Sequence, residues 1–388
     1  MCSPIRSHYD VVVVGARCAG SATAMLLARR GLRVLAVDRS SYGSDALSTH
    51  ALMRGGVLQL RRWGLLDRIA SADTPPIRTT SFFYGDRELA VPIRDRYGVG
   101  ALYAPRRTLL DRVLVDAARE AGADVRHHVD VVDVRRSRPV LSASVQLVRR
   151  EGKLLEVGAN VVVGADGFRS KVAEHVGARP HRSGHHATAI VFGYWSGLMS
   201  TGYRWYYRPG VAAGVIPTNH SEACVFVAVP PERLLGWARG DLAAGFSNAV
   251  HSVNADLAQS LTVARRSGAL RSLAGSPGFL RKACGNGWAL VGDAGYFKDA
   301  ITAHGMTDAL RDAELLSRAI ACGTDRALAD YQETRDALSV EMLEASDAIA
   351  SFAWDLDALE KHHETMNTAM KREVQALEFL DLAEKIAV

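Results

Sequence analysis

Residues Tyr9–Asp38 read YDVVVVGARCAGSATAMLLARRGLRVLAVD, and their order decides the fold. Val11–Val14 is an unbroken β-branched run, which suits a strand buried on both faces in a parallel sheet. It closes on Gly15-Ala16-Arg17-Cys18-Ala19-Gly20. Ser21–Arg30 is rich in Ala, Leu and Met and stops at Gly31, so it reads as a helix. Arg33–Val37 reads as a second strand and ends at Asp38. A βαβ unit whose Gly-rich turn opens a helix places a diphosphate on free helix amides. Asp38 lies 38 − 20 = 18 residues past Gly20, near the separation expected of a carboxylate that binds a ribose hydroxyl. Arg17 departs from the pattern, because a small residue normally lets the backbone approach the pyrophosphate there. Its guanidinium could itself pair with phosphate.

Composition narrows the class. A chain of 388 residues has room for two or three domains, and 23% charged with 48% apolar residues describes an ordinary globular protein. The net charge of +5 comes without any basic run interleaved with aromatics, which speaks against nucleic acid as a partner. Five widely spaced cysteines with no CxxC pair indicate neither a disulfide framework nor a metal site, and predict a cytoplasmic protein. No apolar stretch reaches ~18 residues and no signal core precedes the first strand, so no membrane partner is expected.

Further along, Ser44–His50 is polar and irregular and leads into a helical pattern beginning at Arg54. Thr79–Tyr84 and Glu88–Ile93 flank Gly85-Asp86 as a hairpin. Arg107 opens a helix that ends at Gly122, and Asp124–Val134 and Ser142–Val157 read as strands. Asn160–Val163 is a second buried strand, ending in Gly164-Ala165-Asp166-Gly167. Residues 181–285 become strand-like and aromatic, with one helical segment over Pro231–Leu261. Gly287–Gly292 returns to strand and closes on Asp293, and Met306–Ala321 is a helix. Leu328–Val388 reads as helix almost throughout, with an apolar seam over Leu338, Met342, Ala345, Ile349, Phe352, Leu356 and Leu359. That seam predicts packing on the protein's own body, with a dimer contact as the alternative. The predicted class is α/β: a Rossmann-like cofactor domain (1–72, 98–178 and 280–330), an inserted mainly antiparallel sheet for substrate (73–97 and 179–279), and a helical C-terminus (331–388).

Three motifs follow in order: GARCAG at 15–20, GADGFRS at 164–170, and GDAGYFKDAITAHGMTDALRDAELL at 292–316. Together they resemble the FAD-dependent group A monooxygenases of the para-hydroxybenzoate hydroxylase fold, relatives of the flavin-dependent halogenases and geranylgeranyl reductases. The resemblance covers residues 9–330 and implies FAD as resident cofactor and NADPH or NADH as electron donor. Gly15, Ala16, Arg17, Ala19, Gly20, Asp38 and Arg39 would then serve the ADP half, and Ser48, in the polar loop, would face the cofactor near the flavin. It also implies that Arg107 reaches the flavin side, that Asp166 touches FAD and the nicotinamide nucleotide, and that Gly292-Asp293 holds the ribityl hydroxyls. Gly305-Met306 opens a helix whose amides and dipole would face the flavin pyrimidine. The family's third motif carries Pro where this chain has Ala300, and losing that fixed φ is expected to loosen the loop.

The implied activity is oxygenation of an electron-rich small molecule by O2 through a C4a-hydroperoxide of the flavin. His50 and His304 are the candidate bases, and Tyr194, Trp205, Ile216 and Pro217 the candidate pocket wall. The alternatives are a geranylgeranyl-type reductase, a halogenase with Lys298 as its relay lysine, and a non-catalytic FAD protein. A monomer or homodimer is expected, with a separate flavin reductase as a conceivable partner.

Overall fold

The structure is a computed structural model that describes residues 4–137, 142–149, 152, 154–198 and 200–386. The valine run lies at the centre of the first sheet. His8–Val14 pairs in parallel with Val34–Asp38 on one side and with Leu154–Gly164 on the other. Asp124–His127 extends the sheet beyond Val34–Asp38, and Trp288–Leu290 extends it beyond Leu154–Gly164, both in parallel. Chain order therefore reverses at His8–Val14, the position where open α/β sheets bind ligands beyond their carboxyl ends.

Alternation along one strand explains why all four valines are apolar. Val11 and Val13 pack with Met25, Leu27, Leu110, Leu114, Leu310 and Leu316 from the helices Cys18–Arg29, Arg107–Glu120 and Gly305–Cys322. Val12 and Val14 face the other way, onto Val131, Val145 and Leu147 of an antiparallel meander, Val129–Ser137 and Ser142–Arg149. Each fully buried valine contributes roughly 1.5–3 kcal/mol.

The second sheet runs in the order Arg265–Ala274, Ala189–Ser196, Glu222–Val229, Val211–Thr218, Tyr203–Arg208, Thr79–Tyr84, Arg87–Pro92. Its pairs are antiparallel except Tyr203–Arg208 with Thr79–Tyr84, which is parallel. One face carries Trp195, Val225 and Val227 beneath the helical layer 231–263. The opposite face carries Phe192, Tyr194, Trp205, Ile216 and Phe226, packed against Met342, Ile349, Trp354, Leu359 and Met366 of the C-terminal helices.

Four sequence expectations need correction. The expected strands Ser142–Val157 and Asn160–Val163 are instead Ser142–Arg149 and Leu154–Gly164, paired antiparallel, with Asn160–Val163 the end of the second. The stretch Asp124–Val134 is two strands, split where His128 takes φ 58°. Pro231–Leu261 is not one helix: the helices are Pro231–Arg239, Leu242–Val253 and Ala255–Val263. Asp241 and Asn254 begin the second and third by accepting bonds from Ala243, Ala244 and Leu257 amides. The C-terminal seam is also interrupted, because helices Asp325–Ala350 and Leu356–Ile386 are joined through Phe352 at φ 53°. Met342, Ala345, Ile349 and Leu359 of that seam are buried in the chain's own core. Residues 150, 151 and 153 of the expected Ser142–Val157 strand, and residues 387–388, lie outside the described residues. No helix among the described residues is long and apolar enough to cross a membrane.

The loop expected to be loosened by Ala300 is instead fixed by its neighbour. The Asp299 carboxylate accepts bonds from the Thr188 amide (2.7 Å), the Thr188 hydroxyl (2.6 Å) and the Ile301 amide (2.9 Å). Asp299 holds φ −57° and ψ 140°, a conformation that a residue before proline favours. Ala300 is exposed and begins a short 3-10 turn. Ala300→Pro is therefore expected to raise stability by about 0.4–1 kcal/mol, by restricting the unfolded chain. Chemical denaturation reads this directly, and a destabilised variant would contradict it.

Candidate active site

The three Gly-containing motifs, separated by up to nearly 300 residues, meet at the carboxyl end of the central strand. Gly15 has φ 101°, and a Cβ there would lie 2.3 Å from the Ala165 carbonyl oxygen. A Cβ on Gly20 would fall 1.8 Å from the Gly15 oxygen and 3.1 Å from the Ala165 Cβ. Gly292, at φ 58°, would place a Cβ 2.8 Å from the Ala19 Cβ. Backbone therefore touches backbone where a side chain would otherwise stand.

Asp38 is buried at the end of its strand, accepting from the Ala16 amide at 2.8 Å and from the Ser40 amide and hydroxyl. Arg17 begins the first helix and reaches the Asp45 carbonyl (3.3 Å) and the Ser44 hydroxyl (3.3 Å). Its guanidinium is also 3.9 Å from Asp111. Arg107 grips the same Asp111 through bonds of 3.0–3.1 Å, a buried pair rather than a surface one. Arg39 is exposed, and the Ser48 hydroxyl accepts from the His50 amide. Asp166 is committed to its own helix start, where its carboxylate accepts from the Ser170 hydroxyl and the Lys171 and Val172 amides.

Asp293 differs from these acids. It accepts no hydrogen bond from any described residue, and Gly305 sits alongside, its Cβ position 3.8 Å from Oδ1. Burial pushes its carboxyl up to about 6, against the pull of Lys298 and Arg107. A half-buried carboxylate without donors is costly, and a polyhydroxyl chain would supply the donors. Gly305 is exposed at the start of the Gly305–Cys322 helix, and Met306 is half-buried. The bare cradle at Gly15/Gly20, the unpartnered Asp293 and this open helix start fit a dinucleotide carrying a ribityl chain.

His50 and Tyr194 come together although 144 residues separate them. His50 is fully buried at φ 70°, in the left-handed region that non-glycine residues adopt uncommonly. Its Nε2 lies 2.5 Å from the Tyr194 hydroxyl. The Arg106 guanidinium covers the Tyr194 ring at 3.4 Å and is held by Glu222 at 3.1 Å, while the Arg106 amide donates to Asn219. Burial, reinforced by Arg106 and Arg107, lowers the His50 imidazole to about 3, so it is neutral at physiological pH. Trp205, Ile216 and Pro217 lie in the same sheet and are buried, Trp205 and Ile216 in the apolar layer beneath the C-terminal helices.

His304 belongs to a different assembly. Its Nε2 is 2.7 Å from Glu373, contributed by the C-terminal helix. Arg311 binds Asp308 (3.0 Å) and Asp312 (2.7 Å) and lies 3.6 Å from Glu373, and Lys298 pairs with Asp308. Burial outweighs Glu373 and pulls the His304 imidazole below its ordinary value. Burial would raise Glu373, but His304, Arg311 and Lys298 more than offset it and hold the carboxyl at about 2. His304, Asp308 and Glu373 could converge on a metal, yet Arg311 and Lys298 already neutralise those acids. The trio is therefore part of an ion network, and His304 is not exposed as a base.

Sequence reading missed Arg106 and Glu373. Arg106 adjoins Arg107, and the strand that brings Tyr194 beneath it is 88 residues later. Glu373 has no local signal at all. Asp308, Arg311 and Asp312 do leave one, since charges at i, i+3 and i+4 share a helix face.

Residues 8–346 match the family model described as the FAD binding domain, and the chain belongs to that family. Among curated relatives, it is 30% identical over 170 residues to a digeranylgeranylglycerophospholipid reductase of Methanothrix thermoacetophila, spanning 43% of this chain and 41% of that protein. It is 31% identical over 252 residues to the aklavinone 12-hydroxylase RdmE of Streptomyces purpurascens, spanning 58% of this chain and 46% of that one. The chain thus spans less than half the length of these two relatives. Among solved structures, the flavin-dependent brominase Bmp2 superposes with a TM-score of 0.77 at 19% identity, covering 95% of this chain and 92% of that one. At that identity the likeness is one of fold.

Proposed function

We propose that this chain is an FAD-dependent monooxygenase that uses NADPH or NADH and O2 to oxygenate an electron-rich small molecule bearing an acidic O–H or N–H. The carrying observation is the His50–Tyr194 pair beneath Arg106, which joins the polar cofactor loop to the inner face of the substrate sheet. FAD would rest on the Gly15–Gly20 turn, with Asp38 toward its ribose and Asp293 toward its ribityl chain. When bound it supplies the electron and oxygen chemistry, and the protein supplies position and charge.

The protein's contribution is to the substrate oxygen. The Tyr194 hydroxyl shares a hydrogen bond with neutral His50 and, whichever of the two donates, keeps capacity for one to a substrate O–H. His50 is too weak a base to store a proton, so the pair orients and relays. Arg106, paired with Glu222 and stacked on the Tyr194 ring, is the cation nearest the pair and would favour a phenolate or enolate form, while Arg107 and Arg271 are paired with Asp111 and Asp45. The aromatic and aliphatic side chains around Tyr194 exclude water.

The reductase relative supports a second reading, reduction of a substrate double bond, and the layer of Met342, Met366 and Trp354 over the sheet would suit an apolar chain. The halogenase reading is weakened because Lys298 is buried in its pair with Asp308. Incubation with NADPH, O2 and a panel of phenols and enols separates these outcomes by product mass. Gain of one oxygen supports oxygenation, gain of two hydrogens supports reduction, and neither with any substrate refutes both. Asp293→Ala is expected to purify without FAD, and a variant retaining full yellow colour would overturn the ribityl assignment.

A further inference from the structure

We propose that the buried charge cluster completed by Glu373 of the C-terminal helix sets the reduction potential of the bound FAD. This rests on the FAD reading above. The cluster stands directly behind the helix start at Gly305, which lies beside Asp293. His304 immediately precedes that helix and bonds Glu373, and Asp308, Arg311 and Asp312 occupy its first two turns. Lys298 reaches in from the preceding loop. All six side chains are 5% exposed or less. Arg311 and Lys298, whose ammonium burial pulls down to about 7, face the carboxylates of Asp308, Asp312 and Glu373, so at most two positive charges stand against three carboxylates.

Such a cluster is a poor device for stability alone, since apolar replacements of buried ion groups are often neutral or better. It is an effective device for setting a potential, because charges out of water are weakly screened. Two-electron reduction places negative charge on the flavin ring, so each charge near the helix start biases that step. Supplying the acid from residue 373 also makes the bias depend on the C-terminal helix being docked. The gap between the motif helix and Glu373 explains why no single motif reveals the arrangement.

The sign of the effect separates this role from a structural one. In FAD-loaded protein, Glu373→Gln removes a negative charge and is expected to make the midpoint potential more positive. At about pH 6, where Lys298 still carries its proton, Lys298→Met removes a positive charge and should make it more negative. Each change is expected to be about tenfold in the two-electron equilibrium, or ~30 mV, in dye-equilibrated reductive titrations. Should Lys298→Met fail to fold, Glu373→Asp, which keeps the charge, is expected to restore the wild-type potential where Glu373→Gln does not. A potential unmoved by Glu373→Gln, or moved in the same direction by both Glu373→Gln and Lys298→Met, overturns the proposal. A wild-type chain that takes up no FAD instead overturns the cofactor reading, and this proposal with it.

Discussion

Gly20→Ala is expected to yield a chain that cannot retain FAD and is less stable by about 3 kcal/mol or more. The added Cβ would lie 1.8 Å from the Gly15 carbonyl oxygen, and that neighbour is backbone, which cannot rotate away. The first helix must then lift from the Gly15 turn. Its other side is already packed, since Ala22, Met25 and Leu27 are buried against the sheet and the Gly305–Cys322 helix. The helix start would lose its place beside Ala165 and beneath Ala19–Gly292, where the three motifs close on one another. Flavin absorbance of the purified variant and its urea midpoint both report the change. A variant that keeps stoichiometric FAD would show that the close approach is not needed for the cofactor.

The parts of this molecule legible in its sequence share one property: their signal is local. The valine run, the glycine turns and Asp38 lie within thirty residues, and their steric demands follow from backbone geometry alone. The hairpin at Gly85 and the helix from Arg107 have the same character. Features that required the structure join distant segments. The period of the seam from Leu338 to Leu359 predicts packing on the protein's own body, but only the structure shows that Met342, Ala345, Ile349 and Leu359 meet the inner face of the second sheet. Ala300 lacks the family proline, yet Thr188, 111 residues earlier, ties the loop through Asp299. His50 and His304 looked equivalent as lone histidines in flavin-flanking segments. Their partners, Tyr194 and Glu373, give one a place on the substrate sheet and the other a place in an ion network.

The second large effect is expected at the centre of that network. Arg311→Met should destabilise the protein by about 3–5 kcal/mol, because three buried carboxylates lose their principal counter-charge. Methionine fills much of the volume, so the deficit is chiefly electrostatic. Its pH dependence provides the check. In the wild type, burial would raise the Glu373 carboxyl, but His304, Arg311 and Lys298 outweigh it and hold the group well below its ordinary 4.5. Its contribution is therefore present above the ordinary value and is lost as pH falls through the depressed one. Without Arg311, the burial that pushes the Glu373 carboxyl up is opposed by fewer cations, so acid relieves part of the variant's deficit by protonating it. The gap in unfolding free energy between wild type and variant should thus narrow when urea unfolding is repeated at about pH 5 instead of 7. A deficit under 1 kcal/mol, or one that is constant or grows on acidification, would show that Arg311 acts through packing rather than through the charges it faces.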